Sequence, residues 1–311
     1  MSKRSASGGQ AGHEPRETGL VVGHEGASFQ VEAAGEVLDC GLRGRLRLGG
    51  RRASSPVVIG DRVELLRLPD GGGVIEAVQP RRSELARPGF AGVEQLLAAN
   101  VDLLLIVQAA AEPPFQRRLA ERFIGMARRG GVEPLVVVNK YDLADPALLQ
   151  EETAPLQSAG DRVYFTSTVN GSGIDALREA VRGRIAVLSG KSGVGKSSLV
   201  NALYPGLGAR VAKVSEWSHK GRHTTTSSRL YPVGEGTYLA DTPGIRTLGL
   251  LEDDGESVAD TFPEIAALAA RCRFRNCTHT GEQQCAVRTA VDRGEIHPDR
   301  LRNFRRMRRR E

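Results

Sequence analysis

Apolar and polar positions alternate in two different rhythms along this chain. From about Gly19 to Val78 the apolar residues come in short runs: Leu20-Val21-Val22, Phe29-Gln30-Val31, Val37 to Cys40, Val57-Val58-Ile59, Val63 to Leu66 and Val74 to Val78. Gly-rich turns separate them at Gly26, Gly35, Gly49-Gly50, Gly60-Asp61 and Asp70 to Gly73. Short strands with recurrent turn signals predict a small barrel or sandwich. A five-stranded oligonucleotide-binding (OB-type) barrel fits, and so do other small all-β barrels. From about Leu85 to Leu250 the rhythm becomes apolar strand, loop, amphipathic helix. Leu103 to Val107, Leu135 to Val138, Val163 to Phe165, Ile185 to Leu188 and Tyr238 to Ala240 are near-continuous apolar runs, as in parallel strands buried on both faces. Helices lie between them; in Phe115 to Arg129, Leu119, Phe123 and Met126 recur at helical spacing and are read as core. After the acidic Glu252 to Glu256 come a helix from about Pro263, a Cys/His cluster and a basic helix to the end.

Composition narrows the class. With 311 residues, 40% apolar and 26% charged, the chain can build several cores and is not a disordered protein. Asp102 and Gln108 interrupt the best membrane candidate, Val101 to Ala111, so no transmembrane helix is expected. The polar first eighteen residues read as a disordered arm, not a signal peptide. That points to the cytoplasm, where four cysteines are thiols or metal ligands before they are disulfides. The formal charge of +6 is uneven: Arg271 to Glu311 holds twelve Arg against five acidic residues, a net of +7. Seven arginines between Arg300 and Arg310 favour a polyphosphate partner, because Arg grips phosphate in bidentate fashion; a solvated face is the alternative. The basic stretch Arg43 to Arg52 sits on a connection and could line a nucleic-acid-facing edge.

Three motifs at strand ends carry nucleotide chemistry. Gly190-Lys191-Ser192-Gly193-Val194-Gly195-Lys196-Ser197 follows the strand Ile185 to Leu188 and runs into a helix through Ser198 to Leu203. Its glycines turn backbone N–H groups toward phosphates, Lys196 reaches the β- and γ-phosphates, and the Ser197 hydroxyl ligates Mg²⁺. Asp241-Thr242-Pro243-Gly244 ends another strand; Asp241 holds Mg²⁺ through water and the Gly244 N–H meets the γ-phosphate. Asn139-Lys140-Tyr141-Asp142 reads guanine. The Asp142 carboxylate accepts from N1–H and the 2-amino group, a pair that adenine lacks. Asn139 bridges base and phosphate loop, the Lys140 stem lies over the ring, and a backbone N–H at Ser167-Thr168 can reach guanine O6. The base-reading element precedes the phosphate loop, the reverse of an ordinary GTPase domain, so the domain is circularly permuted. Between loop and Asp241 lies Gly221-Arg222-His223-Thr224-Thr225-Thr226, where Thr225 is favoured over Thr224 and Thr226 as the second Mg²⁺ ligand. Ile245 stands where many GTPases keep a water-orienting Gln. His223 is the best replacement, as base or water-positioner; an exposed or structural His is the alternative.

Cys272-x4-Cys277-x-His279-x5-Cys285 supplies three thiolates and one imidazole, the ligand set of a closed structural Zn²⁺ site. Cys40 stands apart and reads as a small apolar residue.

In the order of these motifs the chain resembles the bacterial small-subunit-dependent GTPases of the circularly permuted class, the RsgA, YjeQ or EngC family, from about Gly19 to the end. The resemblance implies a multidomain fold: an N-terminal all-β OB-type barrel, a central α/β P-loop GTPase domain and a C-terminal mainly helical zinc-binding domain. The expected boundaries are 1–18 for the arm, 19–80 for the barrel, 85–250 for the permuted GTPase domain and 251–311 for the zinc unit. The family binds the 30S subunit and its 16S rRNA late in assembly, helps release a 30S assembly factor and leaves after hydrolysis; its proposed catalytic His matches His223. Ser167-Thr168 departs from the family's usual Ser-Ala. The arm has no counterpart, and nothing suggests membrane association or a stable oligomer. Without the resemblance, a GTP-gated switch acting on another RNA or ribonucleoprotein remains open.

Overall fold

Alternating burial along five strands closes the N-terminal barrel. These are β1 (Glu17–Glu25), β2 (Ser28–Ala33), β3 (Glu36–Leu42), β4 (Arg62–Arg67) and β5 (Gly73–Val78). The computed structural model describes residues 16–44, 46, 56–69, 71–88, 94–207, 228–241 and 258–308. In β2, Phe29, Val31 and Ala33 turn inward while Ser28, Gln30 and Glu32 do not. The neighbours run β1-β2-β3-β5-β4, and β4 returns to β1, so no edge is left inside the ring. Val21, Phe29, Val31, Leu38, Val63, Leu65 and Ile75 fill it. Cys40 joins them at 1% exposure, and burial pushes its thiol up to about 11, as a small apolar filler would be. Most of the arm, most of the basic stretch Arg43 to Arg52 and the acidic Glu252 to Glu256 lie outside the described residues.

The run Val57 to Ile59 is not a strand. The buried Asp61 carboxylate accepts the Val58 N–H at 2.9 Å and turns the chain, leaving Ile59 a single bridge to Ala98. Arg81 then grips both Asp61 oxygens, at 2.7 and 3.0 Å. This pair ties the barrel to a hairpin of β6 (Glu84–Pro88) and β7 (Glu94–Ala99). Leu96 to Ala99 reads as helical as it reads extended, which hid this hairpin from the sequence pattern.

The central sheet is doubly wound. Strands β8 (Leu103–Ala109), β9 (Glu133–Asn139), β10 (Arg162–Phe165), β11 (Ile185–Ser189) and β13 (Thr237–Asp241) are parallel in the order β10-β9-β8-β11-β13. Every residue of β8 is buried because helices cover both faces. On one face, α1 (Arg117–Arg129) and α2 (Pro146–Ser158) set Leu119, Phe123, Ile124 and Leu156 against Leu104, Ile106 and Val136. On the other, α3 (Ile174–Val181) and α4 (Lys196–Leu203) set Leu177, Val181 and Leu199 against Leu103, Leu105 and Val137. Each such side chain contributes about 1.5–3 kcal/mol on burial. Strand β12 (Ser228–Gly234) escapes sequence reading because Pro232 sits inside it. The ladder tolerates the proline where the register shifts between Pro232 and Gly234. β12 also pairs with β1, so the barrel and the GTPase sheet form one continuous ladder.

The described part of the C-terminal unit holds four helices: α5 (Val258–Thr261), α6 (Pro263–Ala269), α7 (Ala286–Asp292) and α8 (Pro298–Arg308). Phe262, Ile265, Val287, Leu301 and Phe304 form its core. It rests on α1, where Gly125 makes room: a Cβ there would stand 2.1 Å from Thr261 Oγ1. Beside it, Arg300 Nη1 donates to Glu121 at 3.1 Å and Asn303 Nδ2 donates at 2.9 Å, with Arg300 1% and Glu121 0% exposed.

Candidate nucleotide site and metal centre

The site grows from the carboxyl ends of β8, β9, β10 and β11, where a parallel sheet leaves loops and helix N-termini free to meet a ligand. The phosphate loop leaves β11 at Gly190, whose φ of 150° and contact with β8 both demand glycine: a Cβ there would be 2.1 Å from Val107 O. Gly195 repeats this at φ 89°, with a Cβ position 2.4 Å from Asn139 Nδ2. Lys196 opens α4 and folds back over the loop, donating to Gly190 O at 2.5 Å and Lys191 O at 2.6 Å. Ser197 and Ser198 follow, exposed, on the first turn.

Asn139 joins the base-reading and phosphate-binding halves. Buried at the end of β9, it donates from Nδ2 to Val194 O at 3.0 Å and accepts at Oδ1 from the Thr166 hydroxyl at 3.2 Å. Lys140 takes a left-handed conformation and donates to Glu112 O at 2.5 Å. That turn lifts Asp142, exposed, onto the one-turn helix Tyr141–Leu143, while Tyr141 packs on Phe165 with centroids 5.3 Å apart. Ser167 is fully buried, and its N–H is already given to Ser172 O at 3.0 Å. The neighbouring Thr168 N–H has no partner among the described residues.

Two polar side chains behind the loop went unassigned in the sequence. Gln108, 5% exposed at the end of β8, accepts the Gln116 N–H at 2.8 Å and donates to Gln116 O at 3.1 Å. The Gln116 side chain receives Lys191 Nζ at 2.8 Å. The stretch 110–116 therefore holds Lys140 through Glu112 and Lys191 through Gln116. The one available signal was a polar residue closing an otherwise apolar buried strand.

Asp241 closes β13 opposite Arg229. Its side chain, the turn to Gly244, and the stretch containing His223, Thr224 and Thr225 lie outside the described residues.

In the C-terminal unit one ligand atom from each of Cys272, Cys277, His279 and Cys285 lies within 4.8 Å of all the others. Cys272 and Cys285 sulfurs are 3.9 Å apart, and His279 Nδ1 is 3.6 Å and 3.3 Å from them. A tetrahedron with Zn–S of about 2.3 Å has edges of about 3.8 Å, close to the separations among Cys272, His279 and Cys285, so the set fits that ion. Burial holds His279 below its ordinary value, as the neutral ring that ligates, and pushes the Cys277 thiol up to about 12. Glu282 accepts the Thr280 and Gly281 N–H groups at 2.9 and 3.1 Å and shapes the ligand loop. Helix α8 clamps this loop from behind. Arg305 donates to His279 O and Arg308 to Cys277 O at 2.8 Å. Part of the arginine run is thus structural, while Arg306 stays exposed. Arg300 is internal, Arg302 pairs with Asp299, and Arg305 and Arg308 are spent on the loop; Arg309 and Arg310 lie outside the described residues.

Comparison with known proteins agrees with this geometry. The family model described as RsgA GTPase matches residues 78–251, more than half of the chain. A protein of Gemmatimonas aurantiaca named small ribosomal subunit biogenesis GTPase RsgA is 41% identical over 296 residues, covering 94% of this chain and 96% of its own. One of the same name from Bacteroides fragilis is 35% identical, covering 92% and 94%. The crystal structure of YjeQ from Thermotoga maritima superposes with a TM-score of 0.75 at 33% identity, over 94% of this chain and 97% of that one. YloQ, described as a circularly permuted GTPase, gives 0.69 at 25% identity over 96% and 95%. With motif order, sheet topology and full-length similarity in agreement, this chain belongs to the RsgA GTPase family and is a circularly permuted GTPase.

Proposed function

We propose that this protein acts in biogenesis of the small ribosomal subunit. It binds the 30S particle and its 16S rRNA in the GTP state, hydrolyses GTP to GDP and phosphate with subunit-stimulated turnover, and leaves in the GDP state. The observation that carries the nucleotide part is the Asn139–Val194 hydrogen bond, which locks guanine reading to phosphate binding in one rigid pocket. The relatives named as small-subunit biogenesis GTPases support the client.

In this reading Asp142 accepts from guanine, the Thr168 N–H donates to O6, and the Lys140 stem covers the ring. Loop N–H groups from Gly190 to Ser198 and the ammonium of Lys196, freed from its two carbonyls, cradle the phosphates. Ser197 and Thr225 would hold Mg²⁺ directly and Asp241 through water, and the ion would supply positive charge against the phosphates. His223 positions or deprotonates the attacking water, and Thr224 and Gly244 contact the γ-phosphate side. Cys272, Cys277, His279 and Cys285 would hold one structural Zn²⁺, which leaves no open coordination position. The working units are the barrel (19–80) and zinc unit (251–311) as RNA grips and the GTPase domain (85–250) between them, with 1–18 as an arm. The protein works as a cytoplasmic monomer beside a 30S assembly factor; among the described residues no helix is long and apolar enough to cross a membrane.

The deciding measurement is GTP turnover alone and with purified 30S or 50S particles, with ATP as competitor. Stimulation by 30S only, with ATP ineffective, is expected. Equal response to both particles, or ATP competing as well as GTP, would overturn the reading.

A further inference from the structure

From the residue before the first metal ligand to the second ligand the chain reads Arg271-Cys272-Arg273-Phe274-Arg275-Asn276-Cys277, three arginines and no acid. Phe274 is 43% exposed, an unusual place for a ring in a unit that buries Phe262 and Phe304 almost completely. Arg271, Arg273, Arg275 and Asn276 are exposed around it. No salt bridge to a described acid engages these three arginines, in contrast to Arg300 and Arg302 on α8. The Arg273 guanidinium lies over the Phe274 ring, 5.4 Å from its centroid, so one face of the ring is covered and the exposed remainder is open. The backbone under the ring is fixed: the Cys277 N–H donates to Phe274 O at 3.2 Å, and Cys272 and Cys277 anchor both ends in the metal cluster.

We propose that Phe274 is a base-stacking platform for an unpaired RNA nucleotide, with Arg271, Arg273 and Arg275 gripping the flanking phosphates. This deepens the proposed function and rests on it for the source of the RNA. An exposed ring offers every base a π-face, and planar guanidinium groups serve both stacking and bidentate phosphate contact. A short turn pinned at two ligands is already ordered, so little conformational freedom is lost on binding. An acidic protein surface would use the arginines but gives no reason to hold an aromatic ring out in water among them.

The test uses the full-length protein loaded with a non-hydrolysable GTP analogue, and titrates a labelled oligouridylate and the 30S particle in parallel. Phe274→Ala should weaken oligouridylate binding about tenfold, the loss expected for one base–aromatic stack. Phe274→Trp should retain affinity and show fluorescence quenching on RNA addition that the parent lacks. Arg275→Gln should weaken binding and lower the salt slope by about one phosphate contact. Zinc content reports whether each variant keeps its fold; should Phe274→Ala lose metal, the Phe274→Trp quench decides. Parent-like RNA affinity in Phe274→Ala, or an unquenched Trp, overturns the platform. So does loss of 30S binding with oligouridylate binding intact, which would assign the knuckle to a ribosomal protein. Failure of the function itself reads differently: turnover indifferent to 30S while Phe274 still governs oligouridylate affinity.

Discussion

Replacing Arg300 by Met should unlatch the zinc unit from the GTPase domain, and the size of the effect should depend on pH. Arg300 meets Glu121 at 3.1 Å, Glu264 at 2.8 Å and the Thr261 carbonyl at 3.0 Å, and lies 4.4 Å over the Phe262 ring. Burial pushes the Glu121 carboxyl above its ordinary range, and the Arg300 charge and the Asn303 amide pull it back. Met fills most of the volume, yet Glu121, 0% exposed, keeps only Asn303. Breaking a buried pair from one side costs about 3–5 kcal/mol. An independent bound comes from proton uptake. A carboxyl of ordinary pKa about 4.3 can be neutralised at pH 7 for about 3.7 kcal/mol, at 1.36 kcal/mol per unit, which caps the electrostatic part of the loss. The sign follows. In Arg300→Met the folded pKa of Glu121 rises above its unfolded value, so the penalty grows as pH rises and shrinks as it falls. At pH 5.5 the cap is only about 1.6 kcal/mol.

Native-state hydrogen exchange at α1 and α8 amides reads the local opening free energy without assuming two-state unfolding of a multidomain chain. After correction for intrinsic exchange, Arg300→Met should open more easily than the parent by about 3–5 kcal/mol at pH 7, with about 2 kcal/mol recovered at pH 5.5. Glu121→Gln added to Arg300→Met should remove the pH dependence, because an amide can still accept from Asn303 and carries no charge. A parent-like opening energy at pH 7, or a deficit that does not change with pH, would refute the argument.

Asp142→Asn should lower GTP affinity at least a hundredfold and admit xanthosine triphosphate, whose 2-oxo group accepts where guanine donates; competition binding with the two nucleotides decides it. Gln116→Ala frees Lys191 and should weaken GTP binding a few-fold with Mg²⁺-dependent turnover at saturation preserved, a KM-against-kcat split in steady-state kinetics. Glu282→Ala removes the acceptor that shapes the ligand loop and should weaken zinc binding roughly tenfold in competition with a chromophoric chelator. His223→Ala should abolish 30S stimulation while GTP binding persists; stimulated turnover equal to the parent's would remove His223 from the mechanism.

The placement of the motifs at strand ends and the buried parallel strands were readable because each is local. A phosphate loop must follow a strand, and β8 is apolar throughout since both its faces are covered. The barrel strands were equally plain, apart from Val57 to Ile59, where Asp61 takes a backbone N–H and bends a run that is β-like in composition. What escaped is long-range. Nothing near Glu121 in sequence announces that its partner is Arg300, so the seven arginines from Arg300 to Arg310 read as one phosphate-facing group when several are structural. A Gly one turn after a Glu, Glu121 and Gly125 on α1, was the faint local sign of a docking face. Strand β12 was hidden by Pro232, whose cost is met by pairing with β13 on one side and β1 on the other.

Permutation explains why both outer units attach where they do. In the chain order found here, the strands flanking the triphosphate side, β11 and β13, come last, and the base-reading strand β9 comes early. β13 pairs with β11 on one side and β12 on the other, and β12 pairs with β1 of the barrel. The barrel is therefore two strands from the phosphate loop, joined by backbone hydrogen bonds and not by a flexible hinge. The zinc unit sits instead on α1, whose N-terminal Gln116 holds Lys191 and whose middle carries Glu121 and Gly125. A shift of the phosphate loop thus meets two stiff elements leading to two separate surfaces. If these two surfaces are the RNA grips proposed above, losing either is costly to affinity, and a small change at the nucleotide is then read as release.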